Sequence, residues 1–227
     1  MEREPWVVGV SGASGTAYAA AVLRGLLAAG EAVDLVVSRA ARLTVLDETG
    51  LAFRDAHWRD DLADWLGQPL DAGKPQVGDL DRVRYWAAGD LAAGPSSGSY
   101  RTRGMLVVPC STASVAGIAL GLSKDLLQRA ASVTLKERRP LVVCLRETPL
   151  GGQTLRQLVA LDDAGAVVLP ASPGFYAGTR SAQQLVDFVA GRVLDAARVP
   201  HDLYRRWTGE LGGAGGGAAA GGAVDPE

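Results

Sequence analysis

The chain has 227 residues, 48% hydrophobic and 21% charged, which suits one α/β domain with a substantial buried core. Its 23 basic and 25 acidic side chains nearly cancel, which argues against a field for binding polyanions such as nucleic acid. Only two histidines, His57 and His201, are present, too few and too far apart for a zinc site or a Ser-His-Asp hydrolase.

The two cysteines, Cys110 and Cys144, lie in or beside apolar strand-like runs and read as buried thiols in a reducing compartment. No apolar run reaches membrane-spanning length, and Met1 to Pro5 does not resemble a signal peptide. A cytoplasmic protein without a membrane partner is the expectation.

Trp6 to Val10 (WVVGV) predicts a buried first strand, ending in Ser11-Gly12-Ala13-Ser14-Gly15. The Ala/Leu-rich run Thr16 to Ala29 predicts a helix stopped by Gly30. A strand, a glycine-serine turn and a helix aim backbone N–H groups at an anion, although small-residue turns also serve tight packing alone. Val33 to Val37 predicts the second strand, and Ser38 caps a helix over Ala40 to Glu48. An acid at that strand end would hold the ribose of NAD; none is present, and Arg39 leaves only an NADP alternative.

Residues 51–80 carry less pattern: a short amphipathic piece, Asp60 to Leu66, then a Gly/Pro/Asp stretch. Asp81 to Ala87 alternates like a half-exposed strand. Gly94 to Tyr100 (GPSSGSY) predicts a flexible polar loop, either a plain connection or a cover for a bound ligand. Met105 to Val108 predicts a buried strand closed by Pro109-Cys110. Ser111-Thr112-Ala113-Ser114 then opens a helix over Val115 to Leu120, a second strand-end site.

The predicted helix Asp125 to Arg138 sets Leu126, Leu127, Ala130, Ala131 and Thr134 on one side and Arg129, Val133 and Lys136 on another. Its two cations stand about 10 Å apart along the axis, as a solvated basic face or as a ligand-directed pair. Lys136 lies just upstream of the stretch around which the chain is organised, Arg139 to Pro149 (RPLVVCLRETP). Leu141 to Leu145 is an unbroken apolar run suited to the centre of a parallel sheet. Arg146 and Glu147 follow at its carboxyl end, where open α/β sheets place their ligands. The bland alternative is a rim ion pair.

Gln153 to Leu161 predicts a helix, Ala166 to Leu169 (AVVL) a further buried strand, and Pro170 to Tyr176 a strand-end loop. Gln183 to Arg198 predicts a helix with Leu185, Val186, Val189, Val193 and Leu194 inward. Arg192, at the edge of that stripe, either snorkels outward or offers a guanidinium to a phosphate. His201 to Trp207 reads as a short terminal helix. The elements predict an α/β fold: a Rossmann-like, doubly wound parallel sheet in three layers, one domain over 1–210. Residues 211–227 read as a disordered Gly/Ala-rich tail.

GASG at Gly12 to Gly15, PCST at Pro109 to Thr112, LKERRPLV at Leu135 to Val142, RETP at Arg146 to Pro149 and PGFY at Pro173 to Tyr176 occur in this order. Together they resemble the flavin prenyltransferases (UbiX-type), from about Val7 to Trp207. The resemblance implies a metal-free, homo-oligomeric enzyme, typically a dodecamer, that transfers a dimethylallyl group from dimethylallyl phosphate to reduced FMN. The product, prenylated FMN, serves a UbiD-type decarboxylase. By the same resemblance, FMN contacts Gly12, Ala13, Ser14, Ser38, Ser111, Thr112, Ala113, Ser114 and Arg146. The prenyl phosphate meets Tyr176 and Arg192, with Arg129 and Lys136 reaching it across a subunit boundary. Catalytic roles fall to Glu147 as proton carrier, Lys136, Ser14 and Trp207, the last as aromatic lining for a developing cation.

Leu91 departs from the pattern, standing where such proteins often carry tryptophan. The alternative within the same fold is a flavin-dependent cysteine decarboxylase, which uses an active-site histidine and a PxMN clamp. Neither histidine here lies near a strand-end turn, and no such clamp is present.

Overall fold

The computed structural model describes residues 4–71, 73–176, 178–207 and 209. The tail over 211–227 lies outside the described residues. Six parallel strands form one sheet: β1 (Trp6–Val10), β2 (Val33–Val37), β3 (Val83–Ala87), β4 (Gly104–Cys110), β5 (Leu141–Leu145) and β6 (Val167–Pro170). Their spatial order is β3-β2-β1-β4-β5-β6, so the chain reverses its direction of winding between β1 and β4. Strand-end loops diverge at such a point and leave a crevice.

The helices are α1 (Thr16–Ala28), α2 (Arg39–Thr49), α3 (Trp58–Leu66), α4 (Thr112–Ala119), α5 (Leu126–Lys136), α6 (Gly152–Asp163) and α7 (Ala182–Ala196). Alternation along the strands builds two cores. Val8, Val10, Leu106, Val108, Val142 and Cys144 face α1, α3 and α7. Val7, Met105, Val107, Leu141, Val143 and Leu145 face α4, α5 and α6. The expected three layers and doubly wound sheet are therefore observed.

Both cysteines are buried and unpaired, and burial raises both thiols, Cys144 to about 12. No helix among the described residues is long and apolar enough to cross a membrane.

Four local expectations are corrected. β4 does not close at Val108 but runs on through Pro109 to Cys110; its pairing with β5 shifts register there, which accommodates a residue without an N–H. β6 is not buried: it pairs only with β5, leaves Val167 exposed, and has Val168 and Leu169 only partly buried, one against each core. The segment 201–207 is not helical. After α7, Arg198 takes φ 56° and the following side chains bond back to α7. The Gly94–Tyr100 loop is tied down at several points, opening with a 3-10 turn over Gly94–Ser96.

Candidate active site

The turns after β1 and β4 are joined side by side. The Ser11 hydroxyl donates to the Pro109 carbonyl at 2.9 Å and accepts from the Ser111 N–H at 2.7 Å. From β5, the Arg146 N–H donates to Cys110 O at 3.1 Å, while its Nε donates to Ser14 O at 3.0 Å. Three strand ends are thus fastened together, and the Arg146 guanidinium bridges two of them. Gly12 is required where it stands, because an added Cβ would sit 2.4 Å from Ala40 Cβ. The start of α2 presses directly on the turn.

Ser38 caps α2, its hydroxyl oxygen accepting from Ala41 N–H at 3.1 Å. Ser111 caps α4 in the same way, accepting from Ser114 N–H at 3.3 Å and donating to Ser114 Oγ at 3.1 Å. Thr112 and Ala113 open α4, so their N–H groups have no partner within the helix and point off its end. These donors suit a flavin's phosphate or ring edge.

The N-terminus of α1 differs from expectation because an internal anion occupies it. Glu48, in the last turn of α2, accepts from Gly15 N–H at 2.7 Å, Thr16 N–H at 2.8 Å and Thr16 Oγ1 at 2.6 Å. Burial works to raise the Glu48 carboxyl, but these donors outweigh it and hold the group below its usual range. Since α2 begins at the end of β2 and ends at the start of α1, it lies across the carboxyl edge of the sheet. The sequence pattern gave no sign of Glu48, whose partners stand 32 and 33 residues away.

Glu147 follows Arg146 at the end of β5 and is exposed, with Oε1 accepting from Thr148 N–H at 3.0 Å. A second group forms around α7. Tyr176 meets Phe188 edge-on at 5.5 Å and Trp207 at 5.8 Å. Arg192 Nη1 donates to Asp195 Oδ2 at 3.2 Å and lies 3.4 Å from the Tyr204 hydroxyl. Tyr176, Arg192 and Trp207 are all more than half exposed.

A third group lies along α5. Arg129 Nε donates to Ser96 O at 3.0 Å, and Lys136 pairs with Glu137. Arg139 adds bonds to Gly98 O at 2.8 Å and Tyr100 O at 2.9 Å, which pins the polar loop. α5 starts at the carboxyl edge, where Leu126 N–H donates to Ala88 O just past β3. Its 11 residues run about 15 Å toward the opposite edge, where Lys136 ends it. Glu147 stands beyond the far end of β5. One protomer therefore does not bring Lys136 to Glu147. A cleft of about 850 Å³ opens beside Asp34, Arg84 and Tyr100, and no residue singled out above for binding or catalysis lines it.

Comparison with known proteins agrees with this architecture. The family model described as Flavoprotein matches residues 1–194. The chain is 76% identical over 212 residues to the flavin prenyltransferase UbiX of Streptomyces coelicolor, covering 92% of this chain and 98% of that one. Among solved structures, AnUbiX (PadA1) in complex with FMN and dimethylallyl pyrophosphate superposes with a TM-score of 0.78 at 35% identity, covering 92% of this chain and all of that one. A dodecameric FMN-dependent UbiX-like decarboxylase from Escherichia coli O157:H7 superposes with a TM-score of 0.76 at 33% identity, over 90% of this chain and all of that one. The fold, the joined strand-end turns and relatives of this identity across nearly its whole length lead to one conclusion: the chain belongs to the flavin prenyltransferase (UbiX) family of flavoproteins.

Proposed function

We propose that the chain transfers a dimethylallyl group from dimethylallyl phosphate to reduced FMN, and that the prenylated FMN passes to a UbiD-type decarboxylase. The observation that carries this reading is the fastening of the β1, β4 and β5 ends by Ser11 and Arg146. It sets hydroxyls, main-chain N–H groups and one guanidinium around a single crevice. Gly12, Ala13, Ser14, Ser38, Ser111 to Ser114 and Arg146 are the residues assigned to hold FMN there. Reduced FMN supplies the nucleophilic atoms that take up the prenyl carbons and close a fourth ring.

The protein's part is to remove phosphate without a metal. The carbon–oxygen bond of the prenyl phosphate breaks as positive charge grows on the allyl carbons. Arg192 and the Tyr176 phenol are assigned to stabilise the departing anion by fixed charge and hydrogen bonding. Trp207, edge-on to Tyr176, is assigned to line the allyl group, where a ring face favours a cation. Glu147 carries the proton that phosphate gains or the flavin loses. Ser14, in the turn fastened by Arg146, is assigned as a second proton-handling group beside the FMN.

Arg129 and Lys136 are assigned to the same phosphate from a neighbouring protomer. The place of Lys136 at the far end of α5, away from Glu147, supports that reading, as does the dodecameric relative. The enzyme is assigned to the cytoplasm, in keeping with its two unpaired thiols. The test is to incubate the purified chain with reduced FMN and either dimethylallyl phosphate or the diphosphate, and to weigh the flavin by mass spectrometry. A gain of one prenyl unit with the monophosphate is expected; unmodified flavin with both donors would overturn the proposal.

A further inference from the structure

We infer that Asp195 is a positioning residue for prenyl-phosphate binding, holding Arg192 and the terminal segment that carries Trp207 in one preset cluster. This rests on the reading of Arg192 as a phosphate ligand. Four side chains converge on the one carboxylate. Oδ2 accepts from Arg192 Nη1 at 3.2 Å and from the Tyr204 hydroxyl. Oδ1 accepts from Arg206 Nη2 at 2.9 Å and stands 3.0 Å from His201 Nε2.

Three observations make this more than a surface ion pair. First, the terminal segment is seated on α7 at a glycine: a Cβ on Gly191 would come within 2.5 Å of the Tyr204 ring and 2.7 Å of His201 Cε1. Only a residue without a side chain lets Tyr204 and His201 reach Asp195. Second, His201 is orientated from its other nitrogen, where Nδ1 accepts from Leu203 N–H at 3.2 Å. Nε2 is thereby turned toward the carboxylate, and the ring, 3% exposed, is held in place from both nitrogens. Third, an unbroken ring chain leads from the cluster to the proposed allyl wall. Tyr204 packs on Phe188 at 4.9 Å, Phe188 on Tyr176 at 5.5 Å, and Tyr176 on Trp207 at 5.8 Å.

The charges do not cancel. Arg192 and Arg206 bring two positive charges against one carboxylate, so the cluster keeps a net positive charge. An anion approaching Arg192 therefore meets a guanidinium whose direction is fixed but whose charge is not used up. Asp195 is assigned no contact of its own with the phosphate. It acts through Arg192 and the docked segment.

The test is steady-state kinetics of the full-length enzyme with dimethylallyl phosphate, comparing Asp195→Asn, Arg192→Ala and the double variant. Asp195→Asn is expected to raise KM for the donor about tenfold, with kcat changed less than about threefold and FMN affinity unchanged. In the Arg192→Ala background it should raise KM no further, because the group it orients is gone. Asp195→Glu, which keeps the carboxylate, should recover part of the loss. An unchanged KM in Asp195→Asn, or an equal additional loss in the double variant, overturns the positioning role. Should Arg192→Ala itself leave KM unchanged, the phosphate-site reading fails first and takes this role with it. If Asp195→Asn does not fold, Tyr204→Phe keeps the ring and removes one hydroxyl from the cluster. A KM rise of about threefold, absent in the Arg192→Ala background, then carries the same conclusion, and no rise overturns it.

Discussion

The carboxyl edge of the sheet and the cationic groups assigned to the prenyl phosphate are held in different ways. At the edge, the ends of β1, β4 and β5 are bonded to one another through main-chain groups and the side chains of Ser11 and Arg146, and Gly12 leaves no slack beside Ala40. The cations rest on acceptors elsewhere: Lys136 on Glu137, Arg192 on Asp195, and Arg129 on the Ser96 carbonyl. The edge is rigid because the fold itself fixes it. The cations are side chains, Lys136 and Arg192 exposed and Arg129 half-buried, whose present partners phosphate would have to share or replace. A protein that must hold a flavin firmly yet admit and release a small phosphate ester has use for both.

The contrast is broken most severely by removing Glu147, the proposed proton carrier at the end of β5. Glu147→Gln should lower the rate of prenylated-flavin formation by about a thousandfold, the scale of general acid–base catalysis. FMN affinity, read by flavin fluorescence quenching, should stay within about twofold, since Glu147 is outside the fastened turns. Full activity in this variant would remove its role.

Gly12→Ala attacks the rigid region instead. Its Cβ would overlap Ala40 and push α2 off the turn, with an expected stability loss of about 1–3 kcal/mol. Thermal unfolding and FMN titration should both register it, with FMN affinity falling about tenfold or more. A variant with unchanged melting temperature and FMN affinity would show that the edge yields more easily than its contacts imply.

The smallest effect is in acid. Burial works to raise the Asp195 carboxyl, but hydrogen bonds from Arg206, Tyr204 and His201 outweigh it and hold the group down at about 2. Its folded pKa lies below the unfolded value of about 3.9, so its stabilising contribution is present above that value and fades as pH falls toward 2. Docking of the terminal segment should therefore weaken only below about pH 4, seen as a change in the Trp207 contribution to fluorescence against Trp207→Phe. Loss of that signal near neutrality would contradict the clamp.

Much of the rigid region was legible in the amino acids. Leu141 to Leu145 and Trp6 to Val10 are apolar runs of strand length, and hydroxyl clusters after strands announce helix caps, so Ser38 and Ser111 fell where local chemistry puts them. What stayed hidden depends on contacts distant in sequence. Nothing near Glu48 says that it will meet Gly15, and nothing in His201 to Trp207 says that Asp195 will draw that segment out of a helix. β6 reads as buried because its residues are apolar, yet a strand with one neighbour is covered on fewer sides. Spacing marks Arg129 and Lys136 together, but the separation of Lys136 from Glu147 follows from the direction of α5.

That separation is tested most directly by mixing two inactive chains. Lys136→Ala and Glu147→Gln variants, each near background alone, are unfolded or dissociated together and allowed to reassemble in equal amounts, and prenylated flavin is then measured. If Lys136 serves a neighbour's Glu147, about a quarter of the mixed sites receive both intact residues and activity returns to about that fraction of the unmodified enzyme. Background activity in mixed oligomers, or full activity in Lys136→Ala alone, would contradict a site divided between protomers.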